Sequence, residues 1–469
     1  MDINYKKFFS TKRLRDTTIS RTNSIEEFYS DRSRLIYSSS FRRLQQKAQV
    51  FSLESNSSVR TRMTHSLEVS DIGRSLSNRI AQKLYEQNYI DQSEIGMMVS
   101  IVENACLLHD IGNPPFGHFG EEAIKSWARN SFTDAGISRY KVQNKKLFKK
   151  LINDFLQFDG NPQGFRVITK LHTERDRFSL NLTYSTLLCS MKYVRAAGEP
   201  ETQPNTKKAG YFLSEEGLVT NIWKEVGMNA HTRYPFAYIM EAADDIAYCM
   251  SDISDGIEKG IITLQSFVNE FRSVWENSYG KRTCPIKKVL SDSFNQEISI
   301  PWSKQIMQEA TDQYMKHHEA LYSGIHKELI PMDGTGRILK TMKEVSRKIL
   351  YSSIQAESIE ITGYAVITGI LKHYEKILEM PHEDFKMLVY GGGLTGYDLE
   401  KRLFHRLGKR YIEAYKYEIE GLNTYAPDKY LTMELWYRIH LIIDHVSGMT
   451  DEYALETYQM LEGINLLKV

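Results

Sequence analysis

The sequence predicts an all-α, mainly helical protein. Three features carry this: apolar residues recur at three- and four-residue spacing over long stretches, Gly and Pro cluster where those stretches stop, and most segments have helical rather than strand periodicity.

From Thr64 onward, Val69, Ile72, Leu76, Ile80 and Leu84 mark the single buried face of one helix. A second helix is predicted from about Gln92 to His109. Gly112 and the pair Pro114–Pro115 stop it, because proline has no N–H to continue the ladder and clashes with the preceding turn. A third follows from His118 or Phe119 through Trp127. Pro235 opens a fourth, whose stripe is Phe236, Ile239, Ala243, Ile246, Met250, Ile253 and Ile257, and which Gly256 and Gly260 close. Residues 196–210 and 279–300 gather polar residues, Pro and Gly and are expected to be irregular. From about residue 301 the pattern is helical again, with no internal repeat or low-complexity tract.

With 469 residues, 41% hydrophobic and 25% charged, the chain has the composition of an ordinary globular protein rather than a disordered one. A net charge of +1 gives no global field for nucleic acid or membrane, so a polyanion site requires local clustering. Residues 1–62 hold thirteen Lys or Arg against six Asp or Glu, a local excess of seven. That excess suits either a phosphate-rich ligand or a solvated basic face. Cys106, Cys189, Cys249 and Cys284 are far apart and form no C-x-x-C, which argues against a disulfide framework and a thiolate zinc site. The start MDINYKKFF lacks a continuous apolar segment, and no run of roughly twenty apolar residues occurs. A cytoplasmic protein without a membrane span is therefore expected.

His109 and Asp110 close an apolar helix just before the turn IGNPPFGH, where two consecutive side chains can converge on one point. A helix-terminal histidine beside a solvated carboxylate has the same pattern. Asp244 lies in the middle of an otherwise apolar helix, where an unpaired carboxylate costs several kcal/mol or becomes neutral, and a divalent cation removes that cost. Asp244, Tyr248 and Asp252 stack on one advancing face. A charged solvent face shared with Glu241 and Asp245 fits the spacing equally well. His65 lies one turn beyond Arg62, placing an imidazole near a fixed positive charge. Together two imidazoles and two carboxylates make a mixed N/O shell suited to Mn, Fe, Mg or Zn.

The arrangement His65, His109–Asp110 and Asp244 resembles the H…HD…D pattern of the HD-domain phosphohydrolases. The segments DRSRLIYSSSFRRLQQKAQVF (31–51), RTRMTHSLEVS (60–70), HDIGNPPFGHFGEEA (109–123), FDGNPQGFRVITKL (158–171), EAADDIAYCMSD (241–252) and SGMTDEYA (447–454) are similar, in order, to those of deoxyguanosine triphosphate triphosphohydrolases and their deoxynucleotide-hydrolysing relatives. The resemblance implies an HD-domain helical core with additional C-terminal helices. It divides the chain into an HD phosphohydrolase domain, 1–275, with its basic N-terminal region, and a helical C-terminal region, 276–469, that completes the substrate pocket and makes oligomer contacts.

The resemblance further implies that His65, His109, Asp110 and Asp244 hold a divalent ion, with Mn, Mg or Fe favoured over Zn. The implied reaction removes the whole triphosphate from a deoxynucleoside triphosphate, dGTP foremost, by water attack at the α-phosphorus. His118 becomes the proton carrier and Glu121 its orienting carboxylate. Arg62 faces the α-phosphate, Tyr248 and Asp252 the sugar, Gln49 and Val50 the sugar and base, and Lys192, Tyr193 and Lys208 the triphosphate. A homo-oligomer, hexamer or tetramer, and a nucleotide or single-stranded-DNA effector are also implied. The alternative function is a nucleotide- or single-stranded-DNA-binding regulator with a structural HD site. One departure stands out: some relatives carry histidine where this chain has Asn113, although asparagine is usual in the dGTP-type branch.

Two other patterns do not survive their context. Gly391, Gly393 and Gly396 have G-x-G-x-x-G spacing, but Tyr397 stands where a P-loop needs lysine and the flanks are helical, so a turn between helices is expected. His317-His318-Glu319 begins like a metal motif, yet Tyr322 occupies the position that needs a ligand.

Overall fold

A computed structural model describes residues 3–464, apart from 20, 55, 203, 287, 288 and 290. The helices that build or brace the site are α1 (Ile25–Ile36), α2 (Arg62–Glu86), α3 (Gln92–Leu108), α4 (Gly117–Ser131), α5 (Gly160–Lys170), α6 (Ala237–Glu258), α7 (Ile354–Glu379), α8 (Pro427–Ser447) and α9 (Asp451–Leu461). The fold is all-α as predicted. Among the described residues, extended pairing is confined to the isolated bridges Arg13–Thr183, Ala48–Thr61 and Ala196–Tyr211. None of the described helices is long and apolar enough to cross a membrane.

The predicted starts and stops lie close to the observed ones, and local chemistry explains them. Thr61 caps α2 by accepting from the Thr64 amide, while Thr64 returns the bond to the Thr61 amide. Asp91 and Glu94 form the same reciprocal box at α3. The third predicted helix begins at Gly117, one residue before the expected start. The Gly391–Gly396 segment is a turn between the helices His382–Tyr390 and Asp398–Phe404. In the stretch 279–300, expected to be irregular, Asn295–Ser299 forms a π-helical turn leading into the helix Ile300–Lys316. Residue 203 of the first irregular stretch, and 287, 288 and 290 of the second, lie outside the described residues. All four cysteines are free thiols.

The innermost layer is α2 packed between α3 and α6. Gly73 makes this close approach possible: a Cβ there would stand 2.5 Å from Cys106 Sγ of α3 and 3.6 Å from Ala243 Cβ of α6. His65 lies two turns before Gly73 on α2, so this notch brings it towards the C-terminus of α3 and the middle of α6. From the C-terminal part, α7 lies along α4 and α9 lies along α7. One continuous apolar core runs from Tyr5 to Ala454.

Part of the basic N-terminal region is neither a solvated face nor an open phosphate site. Arg13 is buried and donates to Asp31 Oδ1 at 2.6 Å, Glu27 Oε2 at 2.7 Å and the Asn181 carbonyl at 2.5 Å. Arg21 pairs with Glu27, Arg15 with Asp176, Lys12 with Glu225, Lys6 with Asp91 and Arg60 with Glu68 and Asp255. Several of these cations thus meet carboxylates near or distant in sequence, while Arg34, Arg42, Arg43 and Lys47 donate to carbonyl or hydroxyl oxygens. Tyr5, Phe8 and Phe9 also anchor this segment, packing on Tyr234, Phe236 and Tyr322.

Candidate metal centre and active site

The HD dipeptide sits where α3 ends. His109 caps the helix, and its Nδ1 lies 2.7 Å from the Cys106 carbonyl oxygen, which fixes the ring and turns Nε2 away from the helix. His65 is fully buried, its ring centroid 5.3 Å from that of His109, and neither of its nitrogens has a hydrogen-bond partner. Asp244 Oδ1 lies 3.5 Å from His65 Nε2 and 3.5 Å from His109 Nε2. The ligand atoms of His65, His109 and Asp244 fall within 4.8 Å of one another. Orphaned buried imidazole nitrogens aimed at a carboxylate fit a divalent cation, since leaving such atoms unpaired is otherwise costly.

Burial alone would raise the Asp244 carboxyl, but His109, His65 and Lys192 around it hold it well below the carboxylate range. With one oxygen 3.5 Å from both imidazoles and the other 3.6 Å from Lys192, Asp244 does not stand on a charged solvent face. Its neighbours have other tasks: Glu241 pairs with buried Arg233 and Asp245 with Lys343.

Asp110 stands at the edge of this cluster. Its Oδ1 is 3.6 Å from His109 Nε2, but that oxygen accepts from Asn113 Nδ2 at 2.5 Å and Oδ2 accepts from Arg62 at 2.7 Å. Burial opposes its ionisation, and Arg62 overcomes this and keeps the carboxyl below its usual value. Arg62 therefore belongs to the site through Asp110, and Asn113 fills its position as a donor to the same carboxylate.

On the next turn of chain, Phe116 and Gly117 both have left-handed backbones, φ 60° and 54°, and launch α4. This places His118 and Glu121 one turn apart, with Nδ1 3.0 Å from Oε2. The other Glu121 oxygen accepts the Gly160 amide at the start of α5, at 2.7 Å. His118 is the exposed member of the pair, its side chain 73% accessible against 8% for Glu121. Lys208 pairs with Asp159 at 2.5 Å next to Gly160, and its charge acts on His118. Lys192 Nζ lies 3.6 Å from both Glu241 and Asp244, so it flanks the cluster from the other side. Tyr193, half-buried beside it, has its hydroxyl pKa raised by burial.

Down α6, Tyr248 and Asp252 meet a residue that no sequence motif announced. The Tyr351 hydroxyl lies 2.6 Å from the Tyr248 hydroxyl and donates to Asp252 Oδ2. The Asp252 carboxyl is pushed up to about 7 by burial, and it faces His65. Val50 packs on the small apolar cluster Phe51, Val59, Leu350 and Ala356, to which Tyr351 also belongs, while Gln49 Oε1 is buried without a partner. The bridge Ala48–Thr61 and the bond from the Arg62 amide to the Lys47 carbonyl hold this segment against the start of α2.

An HD-domain family model matches residues 62–177, which contain His65, His109, Asp110, His118 and Glu121. Across nearly the whole chain, a deoxyguanosinetriphosphate triphosphohydrolase of Serratia proteamaculans (strain 568) is 33% identical, over 93% of this chain and 94% of that protein. The chain belongs to the deoxyguanosinetriphosphate triphosphohydrolase family. Family members of the same name from Enterobacter sp. (strain 638) and Yersinia enterocolitica are each 34% identical, covering 93% and 92% of this chain. For a chain of this deoxyguanosinetriphosphate triphosphohydrolase family, most of the candidate site was foreshadowed by local segments. Tyr351, Lys47 and Asp451 were not: Tyr351 has no flanking motif, and Asp451 lies inside SGMTDEYA with no role attached.

Proposed function

We propose that this protein hydrolyses deoxynucleoside triphosphates, dGTP foremost, to deoxynucleoside and tripolyphosphate. The observation that carries the reading is the His65–His109–Asp244 cluster, with the His118–Glu121 pair on one side and the Tyr248–Tyr351–Asp252 group on the other, in a chain 33–34% identical to enzymes named for that reaction.

His65, His109 and Asp244 would hold the ion, with Asp110, clasped by Arg62 and Asn113, as the fourth ligand and Mn, Mg or Fe as candidates. A divalent cation in that position supplies Lewis acidity to the α-phosphate and to the attacking water. Water oxygen bonds to the α-phosphorus, the bond from phosphorus to the nucleoside 5′-oxygen breaks so that the triphosphate leaves intact, and the water's proton passes to solvent, from which His118 is later reprotonated. His118 delivers a proton at Nε2 to the departing 5′-oxygen, and Glu121 on Nδ1 fixes the ring. Arg62, Lys192, Tyr193 and Lys208 bind the phosphates. Asp252 and Tyr248 bind the 3′-hydroxyl edge, while Tyr351, Gln49 and Val50 close the pocket around the 2′-position.

Residues 276–469 thereby contribute to the pocket through Tyr351, and the helix Leu264–Tyr279 runs across the expected division at 275. A homo-oligomer in the cytoplasm, modulated by a nucleotide or single-stranded DNA, extends the proposal. The regulator alternative loses part of its support because several N-terminal cations, Arg13, Arg15 and Arg21 among them, are paired internally. Incubating the purified protein with each dNTP and Mn or Mg tests the reading. Deoxynucleoside with intact tripolyphosphate is expected, and release of orthophosphate or pyrophosphate overturns it.

A further inference from the structure

We propose that Asp451 is a positioning residue for the catalytic turn, holding the pocket segment at 48–50 and the His118 loop in fixed relation. This inference rests on the role given above to His118. Asp451 opens α9 and is 3% exposed. Its Oδ1 accepts from the Phe116 amide at 3.0 Å and its Oδ2 from the Ala48 amide at 3.0 Å. One carboxylate thus joins two backbone segments distant in sequence. One segment continues into Gln49 and Val50, and the other into Gly117 and His118.

The turn needs such a hold. Phe116 is a bulky residue in the left-handed region, a conformation that persists only when the surroundings impose it. Asp451 takes its amide, and α7 takes its ring in the notch left by Gly363, where a Cβ would overlap the ring. Gly117, also left-handed, lies so close to Arg62 that a Cβ would stand 2.7 Å from the guanidinium. Lys47 braces the same junction: its buried Nζ donates to the Asn113 carbonyl at 2.5 Å and to the Ser447 carbonyl at 2.8 Å. Thr450 caps α9 through the Tyr453 amide, at the turn that Asp451 begins.

A carboxylate accepting two backbone amide bonds, one buried and one half-buried, is a strong, directional pair of contacts. Replacing one oxygen by an amide nitrogen leaves one backbone N–H facing another donor. His118 lies two residues beyond Phe116, so relaxation of the turn displaces its ring from the 5′-oxygen. A misplacement of about 1 Å lowers turnover on the order of 100-fold.

The test compares full-length wild type, D451N, H118A and the double variant, measuring kcat and KM for dGTP with Mn, metal content and thermal midpoint. We expect D451N to lose at least about tenfold in kcat with KM within about threefold and metal content unchanged. In the H118A background the same change is expected to cost less than about twofold, because the two act as a unit. Wild-type kcat in D451N, or losses that multiply in the double variant, overturns the proposal. Wild-type protein inactive on dGTP overturns the assigned function instead. Should D451N not fold, amide hydrogen exchange of the wild-type protein decides: protection of Phe116 equal to that of α4 supports the hold, and loop-like exchange refutes it.

Discussion

His118 Nδ1 lies 3.0 Å from Glu121 Oε2, and the second Glu121 oxygen is tied to the Gly160 amide. The Glu121 hydrogen bond raises the imidazole pKa above its usual value, and burial only partly opposes it. A raised imidazole keeps its proton to higher pH. As proton donor to the 5′-oxygen, it predicts that kcat falls as pH rises through that raised value. In Glu121→Gln the fall moves to lower pH, because the anion that held the proton is gone. His118→Ala loses about 10²–10⁴-fold in kcat. Profiles of kcat against pH at saturating dGTP check all three.

Stripping the ion with a chelator leaves the His65 nitrogens unpaired and Asp244 with only Lys192 and the two imidazoles beside it. Activity is expected to vanish and return on adding Mn or Mg. At an ion concentration 100 times the dissociation constant, the ion-bound protein is more stable by about 2.7 kcal/mol. Denaturation with and without chelator measures this, and Asp244→Asn should abolish the difference.

Asp252 meets the Tyr351 hydroxyl and keeps Oδ1 buried without a partner. If that oxygen accepts the 3′-hydroxyl, Asp252→Ala lowers kcat/KM for dGTP by about 1.5–3 kcal/mol, on the order of 10- to 100-fold. The 2′,3′-dideoxy analogue should be little affected. Equal losses on both substrates would place Asp252 outside sugar recognition.

Gly363 receives the Phe116 ring on α7. Gly363→Ala pushes on that ring and is predicted to destabilise by about 1–3 kcal/mol and to lower kcat more than it raises KM. Parallel denaturation and kinetics separate the two effects.

Arg13 satisfies Asp31 and Glu27 inside the protein. Arg13→Ala leaves both acids buried without it and should cost about 3–5 kcal/mol, read from urea unfolding, while kcat of the folded fraction is preserved. A turnover defect without a stability change would restore a ligand-binding role to the N-terminal cations.

Several features were legible in the sequence because their signals are local. The 3.6-residue stripe of α2, the Pro114–Pro115 stop after His109 and the mid-helix Asp244 each follow from a few neighbouring residues and elementary costs of burial. The fate of the N-terminal charges was not legible, since Arg13 finds its carbonyl partner at Asn181 and Lys12 its acid at Glu225. Local counting sees the cations and not the distant groups that neutralise them.

By itself the sequence determined the helical class and the HD helix end, which are set by spacing along one or two turns, and its family resemblance pointed to the His118–Glu121 pair. Only the tertiary structure decided that Arg62 and Asn113 clasp Asp110, that Tyr351 closes on Tyr248 and Asp252, and that Asp451 reaches Ala48 and Phe116. Those contacts join residues about 50 to 400 positions apart in most cases. They exist because Gly73 lets α2, α3 and α6 close together and because α7 and α9 pack back over α4, and close packing of distant helices leaves no local periodicity to read.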